Sequence, residues 1–169
     1  VTSGLIPDKD WKRRNRGAEW VIGDSVNASI GQGFVLSSPL QLAVMTARLA
    51  TGRSVAPRLI KRIDGVEEPS RGGESLGINE NHLRQIRKAM FEVSNNRRGT
   101  AYRYRSVAED VRIAGKTGTS QVRNITAAER ARGVTRNEDL PWERRDHGLF
   151  VNFAPAEAPR IAVATVVEH

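Results

Sequence analysis

The chain has no cysteine, which removes disulfide bonds, thiolate catalysis and cysteine-ligated metal from the readings of its 169 residues. The absence says nothing of compartment, because an oxidising space permits disulfides without requiring them. No apolar run approaches the ~18 residues that span a bilayer. The first residues, VTSGLIPDKDWKRR, lack the apolar stretch of a signal peptide. His82, His147 and His169 are scattered without metal-ligand spacing, so no metal site and no cofactor are expected. Acidic residues are in deficit: 19 Asp and Glu against 27 Lys and Arg leave a net charge of +8. A basic surface favours polyanions. Yet the basic residues are interleaved with acids, and only KRR at 12–14 and the RR pairs at 97–98 and 144–145 cluster. The expectation is a solvated basic face with no dedicated nucleic-acid site. A basic, non-catalytic module for an anionic polymer is the alternative that composition leaves open.

What is present suits one domain with one core. The abrupt start and the apolar end, RIAVATVVEH, suggest a piece of a longer protein, because termini are usually polar and frayed. Residues 1–33 carry five glycines and a proline and read as loop, with SIGQG at 29–33 a glycine turn. SSPLQLAVMTARLATG predicts a helix capped by Ser37 or Ser38, with Pro39 in its first turn and Gly52 as its stop. Leu40, Ala43, Val44 and Ala47 line one face and Leu42, Met45 and Leu49 a second, which predicts a buried helix. SVAPRLIKRI reads as an irregular edge strand because of Pro57, and residues 64–77 as a polar loop. From 79 to 95, Leu83, Ile86, Met90 and Val93 recur at helical spacing, with Arg84, Arg87 and Lys88 facing out. NNRRGTAYRY then starts a short element with Thr100 as its cap.

The C-terminal third changes period. VRIAGKTGTSQV, HGLFVNFA and RIAVATVVE are β-type runs, and PAEAP joins the last two as an antiparallel hairpin. The charged stretch 123–146 between the first two is long for a structureless loop, and TAAERARG within it has helical propensity. Helices followed by antiparallel strands predict an α+β fold, an antiparallel sheet packed against helices. RIAVATVVE is nearly continuous in apolar residues, as in a central strand. A central strand needs two neighbours, and three long strands are too few, so the fold is expected to be incomplete in this chain.

AGKTGTS, residues 114–120, carries the chemistry. A phosphate-binding loop needs a glycine five positions before Gly115, where Asp110 stands, and a helix should follow where a β pattern continues. An acyl-transfer strand fits better. Alternation puts Lys116 and Gly118 on one face and Thr117 and Thr119 on the other. Gly118 removes a side chain where a substrate backbone would lie, and Lys116 supplies positive charge. The threonine hydroxyls can donate to a carboxylate, and a backbone N–H near Thr119 to an oxyanion. The bland alternative is a glycine-kinked edge strand.

Four segments, GLIPDKDWKRRNRGAEW, SIGQGFVLSSPLQLA, AGKTGTSQV and RDHGLFVNFAPAEAPRIAVATVVE, come in an order that resembles the transpeptidase domain of elongation-type class B penicillin-binding proteins. The resemblance covers nearly the whole chain. It implies a β-lactamase/transpeptidase-like fold, of which residues 1–169 are the C-terminal part. It implies a serine enzyme that cross-links peptidoglycan stem peptides ending in D-Ala-D-Ala and is trapped by β-lactam antibiotics. It implies a parent anchored in the bacterial inner membrane, with this domain on the periplasmic face. By the resemblance, Lys116 and Thr119 are catalytic, Thr117, Gly118 and Thr119 hold substrate, and the Thr119 N–H completes the oxyanion hole. The family's Ser-x-x-Lys motif is absent, since no serine here has lysine three positions on. The nucleophile is therefore expected before Val1, with the remainder of the same domain as the chain's partner. SVN at 25–27 and SNN at 94–96 mimic the family's Ser-x-Asn motif out of place; Ser25 reads as loop and Ser94 as a helix terminus. His82 reads as a surface position, the Asp146–His147 pair as structural, and Trp11, Trp20 and Trp142 as packing for loops. A degenerate transpeptidase-like scaffold is a weaker implication of the same likeness.

Overall fold

Asp8 starts a helix in a region whose glycines suggest only loop. The computed structural model describes residues 3–68, 72–108, 110–123 and 125–168. In it, α1 (Lys9–Arg16) is capped by the Asp8 carboxylate, which accepts from Trp11 N–H at 2.6 Å, and Gly17 closes it at φ 60°. α2 (Ile22–Ser29) turns on Asp24, which accepts from Val21 N–H at 2.7 Å and from Lys12 Nζ at 2.6 Å. Both side chains of the Lys12–Asp24 pair are nearly covered, and they tie α1 to α2. Eight-residue helices carry too few apolar repeats to be seen by periodicity; capping and one shielded ion pair stabilise them instead. Trp11 packs on Phe34 at 5.2 Å between ring centroids, with Arg16 over both rings.

α3 (Pro39–Thr51) is headed by a reciprocal cap: Gln41 N–H donates to Ser38 Oγ at 3.3 Å, and Ser38 N–H to Gln41 Oε1 at 2.8 Å. Gly52, at φ 72°, ends it. Its burial is narrower than the sequence suggests. Thr46 and Ala50 are buried, while Leu40 and Met45 are exposed. Thr46 sits inside because its hydroxyl is satisfied by the Leu42 carbonyl at 2.8 Å.

The edge strand expected around Pro57 shrinks to a two-residue ribbon, β1 (Arg62–Ile63) with β2 (Val66–Glu67), turned by Asp64 and Gly65 at φ 49° and 80°. Of the polar loop expected over 64–77, residues 69–71 lie outside the described residues. α4 (Glu80–Asn95) follows its predicted bounds, with Asn79 as cap. Leu83, Met90 and Ser94 are buried, but Ile86 is exposed. Arg87 does not face out; its guanidinium donates to the Leu49 carbonyl at the end of α3 (2.8 Å) and to Glu80 (2.9 Å). Thr100 does not cap the 3-10 turn at Tyr102–Tyr104.

β3 (Ala114–Ser120), β4 (His147–Ala154) and β5 (Ile161–Val167) form a sheet in the order β3-β4-β5. Gly115 lies opposite Asn152 and Gly118 opposite Leu149, so β3 and β4 run antiparallel. A six-residue connection returns β4 into β5 as a hairpin, closed by Arg160 N–H to Ala154 O at 2.9 Å. Within this chain β4 lies between its two neighbours, and the more apolar β5 has one flank unpaired among the described residues, with Ile161 and Val167 exposed. The core is where helices meet this sheet: Ala50 of α3 and Met90 and Phe91 of α4 pack with Ala114, Phe153, Ala156 and Ala162. The fold is α+β, as expected.

The connection from β3 to β4 is built rather than structureless. α5 (Ala127–Arg132) is capped by Thr126, and two 3-10 turns follow. Arg123 donates to Glu129 at 2.7 Å with both side chains largely covered. That hydrogen bond holds the Glu129 carboxyl below its ordinary range and the Arg123 guanidinium above its own. Two compact units share the described residues of this chain, one drawn from 1–41, 119–148 and 167–169 and the other from 42–118 and 149–166.

Candidate active-site strand

β3 begins covered and ends exposed. Ala114 and Gly115 are buried, Lys116, Gly118 and Thr119 are exposed, and Thr117 and Ser120 lie between. The cause is the core below the strand's first residue. Asn95 at the end of α4 donates to the Ile113 carbonyl at 2.9 Å and fixes the entry into β3. Gly115 then lets β3 press on β4, since a Cβ there would meet Val151 O and Phe150 Cζ at 2.6 Å. Beyond it the strand comes to the surface on the outer side of the sheet. Residues 116–119 are thus extended and open to solvent, with Thr117 half-buried, while Gly115 is covered.

Three contacts hold the exposed part. Thr117 Oγ1 lies 3.1 Å from Thr100 Oγ1 in a hydroxyl–hydroxyl hydrogen bond. Lys116 Nζ folds back to donate to the Thr117 carbonyl at 2.8 Å. The Thr119 carbonyl accepts from Gln32 Nε2 at 2.9 Å. Lys116, Thr117, Gly118 and Thr119 therefore stand together on one extended run, offering an ammonium group, two hydroxyls and a gap where a side chain would be. The arrangement can bind a peptide carboxylate and lay a backbone N–H against developing negative charge.

Thr100 and Gln32 are the partners that sequence reasoning missed. Gln32 stands in the IGQG segment, where the glycines drew attention to the turn and away from the side chain between them. Thr100 reads as a cap because threonine before a short helix usually is one.

The decoy serines separate clearly. Ser25 lies in α2, not in a loop, and accepts from Trp20 Nε1 at 2.9 Å. Ser94 is buried near the end of α4, out of reach of any substrate. His82 is exposed on α4. Asp146 serves structure: it accepts from Val122 N–H at 3.0 Å and donates its own N–H to Asn137 Oδ1 at 2.7 Å. Among the described residues, no three His, Asp or Glu side chains converge as a metal site would require.

A family model for the penicillin binding protein transpeptidase domain matches residues 2–169. The chain belongs to the penicillin-binding protein transpeptidase family. It is 37% identical over 175 residues to the peptidoglycan D,D-transpeptidase MrdA of Acinetobacter baumannii, covering 99% of this chain and 25% of that protein. Among solved structures it is similar to Pseudomonas aeruginosa PBP2 in complex with WCK 5153, with TM-score 0.75 and 35% identity over 99% of this chain and 34% of that one. It is also similar to Helicobacter pylori PBP2 in complex with MreC, with TM-score 0.75 and 29% identity over 99% of this chain and 28% of that one. The chain spans about a quarter of the length of the MrdA proteins it matches.

Proposed function

We propose that this chain is the C-terminal part of one transpeptidase domain in a peptidoglycan D,D-transpeptidase, and that β3 is one wall of its active site. The observation that carries the reading is the exposure of Lys116, Gly118 and Thr119 on an extended outer strand. The peptide stem ending in D-Ala-D-Ala lies along that strand. Its terminal carboxylate takes hydrogen bonds from the Thr117 and Thr119 hydroxyls. A serine from the part of the domain outside this chain attacks the penultimate carbonyl, and the Thr119 N–H donates to the oxyanion that forms. Lys116 supplies positive charge to the proton network beside that serine. D-Alanine leaves, and an amine of a neighbouring strand resolves the acyl-enzyme. A β-lactam follows the first half of this course and stays attached.

The likeness to proteins named peptidoglycan D,D-transpeptidase supports the substrate class. Exposed apolar side chains, including Ile22, Leu59, Ile161 and Val167, suit surfaces that the remainder of the domain covers. We place the domain on the periplasmic face of the bacterial inner membrane, with the anchor in the rest of the parent.

The test joins the chain to the upstream segment that its relatives have and adds a labelled penicillin. A covalent adduct that resists denaturation and is insensitive to salt is expected. A folded protein that never forms one sinks the reading. Polyanion binding that falls steeply with ionic strength would point to the basic-module alternative.

A further inference from the structure

Gly118 creates a difficulty as well as an opening. Glycine has the widest backbone freedom of any residue, so the strand that leaves room for a ligand is loosest at that point. The donor assigned to the oxyanion, the Thr119 N–H, comes immediately after it. Gln32 meets that difficulty from 87 positions away in sequence. Its side-chain amide donates to the Thr119 carbonyl at 2.9 Å. In an extended strand the N–H and C=O of one residue project to the same side. Fixing the carbonyl of Thr119 therefore fixes the direction of its N–H.

Gln32 is itself held. It is half-buried between Gly31 and Gly33, at φ 73° and 76°, conformations that suit glycine. Its own N–H donates to the Asn27 carbonyl at the end of α2 at 2.9 Å. A Cβ on Gly33 would come within 3.2 Å of Asn27 Cβ, so the turn sits close on that helix. α2 is in turn tied to α1 through Lys12 and Asp24. The glutamine is thus aimed from a braced turn and does not dangle from a loop.

We propose that Gln32 is a positioning residue, which clamps the Thr119 carbonyl so that the Thr119 N–H keeps the orientation an oxyanion needs. The proposal rests on the reading of β3 as the active-site wall. A neutral amide suits the task, because it pins the strand without adding a charge that would compete for the substrate carboxylate.

The experiment uses the protein with its upstream segment, Q32M and Q32E, and a labelled penicillin read for both saturating acylation rate and half-saturating concentration. Q32M keeps the shape and loses the donor. Q32E keeps the shape and turns an acceptor toward a carbonyl. Q32M is expected to lower the saturating rate about fivefold to tenfold per titrated active site, with half-saturation and melting temperature unchanged. Q32E is expected to lose at least as much. Either variant acylating at the wild-type rate overturns the proposal, as does a loss that only tracks the unfolded fraction. If the wild-type protein forms no adduct, the functional reading has failed. The clamp is then judged alone by backbone ¹⁵N order parameters, which should fall at Gly118, Thr119 and Ser120 in both variants; unchanged values there dispose of it.

Discussion

The hydroxyls of Thr100 and Thr117 lie 3.1 Å apart, so a residue just beyond α4 orients a side chain on β3. Thr117 is one of two hydroxyls assigned to a ligand carboxylate. A hydroxyl that is held at one side presents its remaining donor or lone pairs in a fixed direction. Thr100→Val keeps the shape and removes the partner. The expected outcome is a half-saturating penicillin concentration raised about fivefold, with the saturating acylation rate little changed. An unaltered concentration dependence would show that Thr117 needs no such help.

Gly115 and Gly118 stand three apart on one strand but answer to different constraints. A Cβ at Gly115 meets the Val151 carbonyl at 2.6 Å, and a backbone atom cannot rotate away. A Cβ at Gly118 meets Leu149 Cβ at 3.3 Å, a contact that a small shift relieves. Gly115→Ala should therefore lower stability by about 1–3 kcal/mol, and Gly118→Ala by less than about 1 kcal/mol. Thermal unfolding of the two variants side by side checks the order. Equal midpoints would mean that β3 and β4 are not packed as described.

Lys116 is exposed, and its described bond is to a carbonyl of its own strand. Such a contact adds little to folding. Lys116→Ala should leave the melting temperature within about a degree of wild type while slowing penicillin acylation about 100-fold or more. A normal acylation rate would remove Lys116 from the proton network.

Asp24 links α1 to α2 by acting twice, on Lys12 and on Val21 N–H. The hydrogen bond from Lys12, and next the one from Val21, hold its carboxyl below the ordinary range. A depressed carboxylate stabilises the folded state above its unfolded pKa, near about 4, and loses that contribution as pH falls through the lower folded value. Asp24→Asn should therefore lower the unfolding midpoint at pH 7. The difference from wild type should narrow only as the medium is taken below about pH 4. A gap independent of pH down to strongly acid conditions would show that the charge of Asp24 is not what matters.

α4 was legible because its apolar residues recur over four turns; Leu83 and Met90 are buried where the period puts them. Ile86 shares the period and is exposed, because period alone does not decide which part of a face is covered. α1 and α2 were not legible. Their stability lies in Asp8, Gly17 and the Lys12–Asp24 pair, and the ion pair joins positions with no periodic relation. The extended conformation of residues 116–119 was legible, since a β pattern is written in consecutive side chains. Its braces were not, because Gln32 reaches Thr119 across 87 positions.

The local order of residues by itself determined the helix from Asn79, the hairpin through PAEAP, the extended Lys-Thr-Gly-Thr run and the family. Each of these depends on neighbours in sequence, on capping, alternation or a short turn. Only the tertiary structure decided that β4 pairs with both β3 and β5, that Thr46 is buried, and that Thr100 and Gln32 reach the strand. A strand's place in a sheet and the partner of a polar group are set by what folds against them from afar, and no window along the chain contains that information.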